Sequence, residues 1–119
     1  MLVDDEADTV EALAILLGLD GHIVRTATSA TLARTLLETF TPDVAFLDVN
    51  RPEISGFGLV DQMRHQPALR QVKPIALTRD ASQLDREAAL SGGFDSHLAK
   101  PLDMEALASI LASVHPRAP

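Results

Sequence analysis

Several residue types are missing from this sequence or scarce in it. Its 119 residues include no Cys, no Trp and no Tyr, and aromatic residues make up only 3%. The absence of Cys excludes disulfides and thiolate metal sites and agrees with a reducing cytoplasm. Because aromatic residues are so few, Leu, Val, Ile and Ala must fill the core, and the length is typical of one domain.

Basic residues are also scarce, and long apolar runs are absent. Ten Lys and Arg residues against 17 Asp and Glu residues give a formal net charge of −7, and the basic residues are scattered. Nucleic acid binding requires clustered Lys and Arg, so we expect this domain to make no direct contact with nucleic acid. No apolar run approaches the roughly 20 residues that span a bilayer, and the acidic N-terminus is unlike a signal peptide. We therefore expect a cytoplasmic protein with no membrane contact.

Short apolar runs alternate with longer amphipathic segments. The short runs are residues 2–3, 22–26, 44–47, 72–77 and 94–99. Several of them are continuously apolar, which favours strands covered on both faces. Apolar residues at helical spacing predict helices around residues 10–17, 33–40, 59–63 and 107–114, the last with Asp103 as its N-cap. The helical pattern over residues 82–91 is the weakest. Five β-α repeats predict an α/β fold with a doubly wound parallel sheet, over residues 1–115, with a linker or tail starting at residues 116–119.

Polar residues follow the predicted strands at the edge where such folds bind ligands. Asp4, Asp5 and Glu6 follow the first strand, Asp48 the third, and Thr78 the fourth, while Lys100 and Pro101 follow the fifth. Ligands of parallel sheets bind at the carboxyl ends of the strands, so we expect these side chains to share one site.

These residue types suit phosphoryl transfer assisted by a metal ion. Crowded carboxylates repel each other unless a cation joins them, and oxygen ligands without His or Cys suit Mg²⁺ or Mn²⁺. An ionised Asp can attack phosphorus and form an acyl phosphate, while the metal and a Lys offset the charge on the phosphoryl oxygens. A Thr hydroxyl can donate to a phosphoryl oxygen, so its position would depend on whether phosphate is present.

The same residues carry a resemblance to a known family. Four sequence pieces match in order and spacing: Val3-Asp4-Asp5-Glu6, Phe46-Leu47-Asp48-Val49-Asn50-Arg51-Pro52 with Gly56, Ala76-Leu77-Thr78, and Ala99-Lys100-Pro101. Over essentially its whole length the chain resembles the receiver domain of two-component response regulators and hybrid sensor histidine kinases. The resemblance implies a flavodoxin-like (βα)5 fold with strand order 2-1-3-4-5.

The resemblance also implies a role for each site residue. Asp48 would accept the phosphoryl group, and Thr78 and Lys100 would bind it. Asp5, Asp48 and the main-chain carbonyl of Asn50 would hold Mg²⁺ or Mn²⁺, with Asp4 close by. The bond before Pro101 would be cis, as X-Pro bonds can be.

Two positions depart from the commonest family pattern, and two others bear on the lifetime of the acyl phosphate. His97 replaces the usual aromatic residue three before the Lys, and a partly solvated His there could make the coupling sensitive to pH. Arg79 replaces a small residue after the Thr, which predicts altered rates of phosphorylation rather than lost function. Asn50 and Asp80 occupy positions that tune how fast water attacks the acyl phosphate. A further observation is a boundary: three residues precede the acidic cluster, fewer than an average strand, so the first strand could begin upstream.

Three functions remain open at this stage. The leading interpretation is a switch, not an enzyme, that is phosphorylated by a histidine kinase or a His-phosphotransfer domain. Phosphorylation would alter the face of the predicted fourth helix, fifth strand and fifth helix for an effector or output domain, or for a phosphorylation-dependent homodimer. A pseudo-receiver, which binds partners without phosphorylation, is the alternative. A small α/β enzyme or flavin binder is disfavoured because acidic residues follow the first strand where a phosphate-binding loop would be needed.

Overall fold

Five parallel strands form a single sheet. The computed structural model describes residues 1–4, 6–19, 21–48, 56–78, 92–99 and 104–113. The strands are β1 (Leu2–Val3), β2 (Thr26–Ala27), β3 (Val44–Asp48), β4 (Lys73–Thr78) and β5 (Ser96–Ala99). Their order is β2-β1-β3-β4-β5, and every neighbouring pair is parallel. The predicted fold class and strand order are confirmed.

Four α-helices lie within the described ranges. They are α1 (Ala7–Leu19), α2 (Ala30–Thr39), α3 (Gly56–His65) and the C-terminal α4 (Met104–Ser113), with a short 3-10 helix at Pro67–Leu69. The helix predicted over residues 82–91, the N-cap Asp103 and the tail lie outside the described residues. Among the helices that the structure describes, none is long and apolar enough to cross a bilayer.

The helices cover both faces of the sheet, which explains why the strands read as continuous apolar runs. On one face, α2 and α3 contribute Ala33, Leu37, Leu59, Val60 and Met63 to a buried cluster. On the other, α1 and α4 contribute Val10, Leu13, Leu17 and Leu107. Strand residues alternate between the two clusters, as the pleat requires.

The second strand differs from its prediction, which placed it at residues 22–26. In the structure only Thr26 and Ala27 form β2, because the sheet register sets Leu2 against Thr26. Residues 22–24 therefore precede the part of the chain that pairs with β1. The other strands start or end within two residues of their predictions.

Two glycines with positive φ, Gly21 before β2 and Gly93 before β5, allow a matched test of substitution by Ala. Gly93, before β5, has φ +100°, and a Cβ there would lie 3.1 Å from Cγ1 of Val60. Gly21, after α1, has φ +90° with open space around it. We expect Gly21→Ala to destabilise the fold by about 1 kcal/mol through backbone strain alone, and Gly93→Ala by about 2–4 kcal/mol because overpacking adds to the strain. Urea unfolding with unchanged m-values would measure both, and equal losses would contradict the role of Val60.

Candidate functional site

Three polar side chains are buried in the part of the chain that the structure describes, and all three lie at strand ends. Asp4 is 3% exposed, and Asp48 and Thr78 are fully buried. Buried polar groups are far more informative than exposed ones, because burial is costly without a compensating role or partner. The structure thus brings together three of the predicted site residues at the carboxyl edge of the sheet.

The sheet register sets Asp4 and Asp48 next to each other. Val3 pairs with Leu47, and each Asp is the next residue along its strand direction. Neighbouring strands lie about 4.8 Å apart, so two carboxylates share a small buried volume. Asp48 itself ends β3, whose five residues are all buried. A hydrophobic central strand therefore holds the Asp48 carboxylate in place.

Asp4 is fixed between β2 and the start of α1. Its main-chain nitrogen donates to the carbonyl oxygen of Ala27 at 3.1 Å, and its Oδ1 accepts from the main-chain nitrogen of Glu6 at 3.0 Å. The carbonyl of Glu6 then accepts from the nitrogen of Val10 at 3.1 Å, the first turn of α1. One carboxylate oxygen of Asp4 thus orders the chain entering α1, as acidic side chains do at helix starts.

Thr78 lies at the end of β4, next to the strand that carries Asp48. Asp48 pairs with Leu77, so Thr78 lies one residue further toward the same edge. Its hydroxyl donates to the carbonyl oxygen of Leu98 on β5 at 3.5 Å, well beyond the usual 2.7–2.8 Å of a hydroxyl hydrogen bond. A buried hydroxyl held by such a long bond can be redirected toward a better acceptor at little cost.

His97 lies in the middle of β5, two strands from Asp48. It pairs with Ala76 of β4 and is half-buried, between the sheet and the surface. His97 therefore lies on the strand next to the one that ends at Thr78, while its part in switching stays a prediction.

The remaining predicted site residues lie outside the described residues. Each follows a described strand end by one or two positions in sequence; they are Asp5, Asn50, Arg79, Asp80, Lys100 and Pro101. Among the residues that the structure does describe, no three acidic or His side chains converge on a possible metal. The buried neighbours Asp4 and Asp48 nevertheless fit a hard divalent cation, which would offset their mutual repulsion.

A parallel 2-1-3-4-5 sheet with buried carboxylates after β1 and at the end of β3 is typical of the receiver class of signalling domains. The family model of the response regulator receiver domain matches residues 1–112. The chain belongs to this family.

Curated relatives agree with the family match. The chain is 41% identical to an uncharacterized 14.6 kDa protein of Leptolyngbya boryana over 87% of its length and 79% of that protein. It is 32% identical to the transcriptional regulatory protein TcrA of Mycobacterium tuberculosis over its full length. It spans only 46% of TcrA, and 48% of the response regulator PmrA of Pseudomonas aeruginosa. The chain therefore corresponds to one part of these longer regulators.

Solved structures show the same fold. Chemotaxis response regulator CheY4 of Vibrio cholerae superposes with a TM-score of 0.85 at 27% identity, covering 96% of this chain and 95% of that one. A response regulator of Burkholderia pseudomallei, solved with a phosphorylated aspartic acid, calcium ion and citrate, gives a TM-score of 0.79 at 27% identity, covering 96% and 64%.

Proposed function

We propose that this receiver domain is a phosphorylation-controlled switch in which Asp48 accepts the phosphoryl group. The observation that carries the proposal is the fully buried carboxylate of Asp48 at the end of β3, with Asp4 beside it and the weakly held Thr78 hydroxyl on the next strand. The phosphorylated aspartic acid of the Burkholderia pseudomallei relative supports the same chemistry for this chain.

The residues near Asp48 suit a magnesium ion, with manganese as a substitute. Asp5, Asp48 and the main-chain carbonyl of Asn50 would be its direct ligands, and Asp4 would act through hydrogen bonds and charge. When bound, the ion would neutralise the carboxylates and the phosphoryl oxygens and orient the donor. The calcium ion in the Burkholderia pseudomallei relative shows that one related protein binds a divalent cation.

The transfer needs only one nucleophile from the protein. A carboxylate oxygen of Asp48 attacks phosphorus in line, forming the new P–O bond of an acyl phosphate. The bond from phosphorus to the donor breaks at the same time, and its electron pair leaves with a His nitrogen or with a carboxylate oxygen. The buried, fixed position of Asp48 lowers the entropic barrier to this step. The ammonium of Lys100 would offset the negative charge on the phosphoryl oxygens during the transfer.

Thr78 would report the arrival of phosphate. A phosphoryl oxygen is a stronger acceptor than the carbonyl of Leu98, because charge-assisted hydrogen bonds are roughly twice as strong as neutral ones. The hydroxyl would therefore turn from β5 toward β3, and His97 and Pro101 would follow the change along β5. Phosphate would bind this arrangement better. It would thereby shift the face formed by the helix predicted over residues 82–91, β5 and α4 toward the partner-binding state.

The donor and the recipient of the signal are two different proteins or domains. A histidine kinase or a His-phosphotransfer domain would supply the phosphoryl group in the cytoplasm, and an effector or output domain would read the altered face. Within this scheme residues 1–115 form the domain and residues 116–119 start a linker or tail. The domain catalyses only its own phosphorylation and dephosphorylation. Arg79, Asp80 and Asn50 would set the rates of gain and loss of phosphate.

Acetyl phosphate tests the proposal without knowledge of the kinase. The chain is incubated with Mg²⁺ and acetyl phosphate, and intact-mass spectrometry follows the adduct. We expect a single phosphoryl group that is removed by base and fails to form when the metal is chelated. An unmodified chain under these conditions would instead support the pseudo-receiver, which binds partners without phosphorylation.

Replacing Thr78 with Val tests the role of its hydroxyl. Val keeps the β-branched shape that the strand packs around but cannot donate a hydrogen bond. Loss of one hydrogen bond to a charged phosphoryl group predicts phosphorylation slower by about tenfold or more. Stopped-flow measurement with acetyl phosphate gives the rate, and Thr26→Val, at an exposed position of β2, is the matched control. Equal rates for Thr78→Val and wild type would remove Thr78 from the site.

A further inference from the structure

Most of the exposed large apolar side chains in the described structure lie around one edge of the sheet. The exposed side chains are Ile15 at 60% exposure, Leu16 at 46%, Leu19 at 80%, Ile23 at 73% and Leu32 at 52%. They belong to α1, to the segment before β2 and to α2, the segments that flank strand β2. Single exposed apolar residues are ordinary, but a concentration around one feature marks an interaction surface. Leu16 lies two residues from Ala14, which lines the groove beside β2, so it faces nearly the opposite way. We call the other four residues together with β2 the β2 edge.

On one face of the sheet, α1 presents a second apolar stripe. Its first stripe, with Val10 and Leu17, is buried against the sheet. Ile15 and Leu19 follow each other by one helical turn on another side of the helix. Ile15 and Thr26 line the same groove between α1 and β2, so this stripe borders the edge strand.

On the opposite face of the sheet, α2 also presents an apolar residue toward the side where β2 lies. Arg34 of α2 donates from Nε to Oε1 of Gln62 on α3 at 2.9 Å, which identifies the side of α2 that faces α3. Leu32 precedes Arg34 by two residues, which on a helix of 3.6 residues per turn places it on nearly the opposite side. Leu32 therefore faces away from α3, on the side of α2 where strand β2 lies.

The strand between these two helices is open to pairing. β2 is the terminal strand of the sheet, and its bonds to β1 run through the carbonyl oxygens of Arg25 and Ala27. In a parallel ladder the intervening residue, Thr26, directs its N–H and C=O away from β1. Exposed edges of this kind are templates for another strand.

The charges at the two ends of the β2 edge select the orientation of a partner. Exposed Asp8 and Glu11 lie on the first half of α1, and Glu11 borders the groove near Thr28, at the carboxyl end of β2. Exposed His22 and Arg25 lie before the amino end of β2. A two-fold axis perpendicular to the sheet reverses the strand direction and sets the acidic end of one molecule against the basic end of the other.

We propose that two copies of this chain associate edge to edge through β2, with α1 against α1 and α2 against α2. A second copy offers the same three layers, an edge strand between two helices that each carry apolar side chains toward it. It also offers the complementary charges in the required order. β5 lies at the other edge of the sheet. The association therefore leaves β5 and α4 accessible, and it does not depend on phosphorylation of Asp48.

Sedimentation analysis of the unphosphorylated chain from about 1 μM to about 1 mM tests the association. We expect a monomer–dimer equilibrium that Ile15→Glu and Leu32→Glu each weaken by about tenfold or more, because central apolar contacts carry most of the binding. Both residues are exposed, so circular dichroism should show an unchanged fold. Ala112→Glu, at an exposed position of α4, is the control and should leave the equilibrium unchanged. A chain that is monomeric at every concentration would overturn the proposal, as would a dimer that tolerates both edge changes.

Charge reversal tests the antiparallel arrangement itself. Glu11→Arg and Arg25→Glu should each weaken the dimer, and the double variant should recover most of the loss. Amide hydrogen exchange of Thr26 should also slow as the dimer forms, because its N–H becomes paired. A dimer with no recovery in the double variant and unaltered Thr26 exchange would reject pairing through β2.

Discussion

The Asp48→Asn variant is expected to form no acyl phosphate with acetyl phosphate under conditions that modify the wild-type chain completely. An amide nitrogen and a neutral amide oxygen replace the anionic nucleophile, while the side chain keeps its shape in a fully buried position. The loss should therefore reach the background of the measurement rather than a fraction of the rate. Intact-mass spectrometry after acetyl phosphate treatment measures it.

The control for this variant is a carboxylate of the same type outside the site. Asp61 on α3 has a side chain that is 78% exposed, so Asp61→Asn should leave the adduct unchanged. Mg²⁺ should raise the melting temperature of the wild-type and Asp61→Asn proteins and raise that of Asp48→Asn less, since a bound ion stabilises the folded state by mass action. An adduct that persists in Asp48→Asn would move the phosphoacceptor to another residue.

The second large effect, expected for a chain that begins at Met1, is a loss of stability as the pH falls from 8 to 5. The α-amino group of Met1 is buried and donates to the carbonyl oxygen of Val44 at 2.9 Å. Burial lowers its pKa from 8.0 to about 5, although the charge of Asp43 opposes the change. Between these values the unfolded chain binds a proton that the folded chain excludes, so stability is full above pH 8 and falls as the pH decreases. The full penalty is on the order of 4 kcal/mol, a large part of the roughly 5–15 kcal/mol that stabilises a domain.

Acetylation of the amine separates this effect from the titration of the four His residues. The acetylated chain keeps an N–H for the carbonyl of Val44 but has no charge to bury. A cavity of about 390 Å³ lined by Met1, Ile23 and Phe40 adjoins the group and leaves room for the acetyl methyl. Urea unfolding across the pH range should show a flatter dependence after acetylation. The same slope for both chains would assign the pH dependence to other groups.

The site was predictable to the extent that it depends on strand ends. Parallel strands bring their carboxyl ends to one edge, so Asp4, Asp48 and Thr78 could be placed together once the apolar runs were recognised. The pattern did not show how Asp4 is used, because its hydrogen bond to Glu6 depends on the angle at which the chain enters α1. The roles assigned to Asp5 and Lys100 stay predictions.

Tertiary contacts decided what the sequence pattern left ambiguous. The apolar run at residues 22–26 looked like a strand, but the register of Leu2 against Thr26 limits β2 to two residues. In α1, apolar residues occur around most of the helix, and periodicity alone identified the stripe of Val10 and Leu17 but gave no sign of the exposed Ile15 and Leu19. The burial of the Met1 amine depends on β3 and has no local signature.

Because the strand ladders differ in length, the two sides of the sheet should open locally at different rates. β1 and β2 share two residue pairs, whereas β3 and β4 share five. Local opening is cheapest where the fewest contacts must break, so the β2 side of a single molecule should breathe and become accessible to proteases long before β3 does. Asp48 is attached to the strand that opens last. An acyl phosphate carried there would experience a rigid support throughout its lifetime, even while the opposite margin of the molecule opens and closes many times.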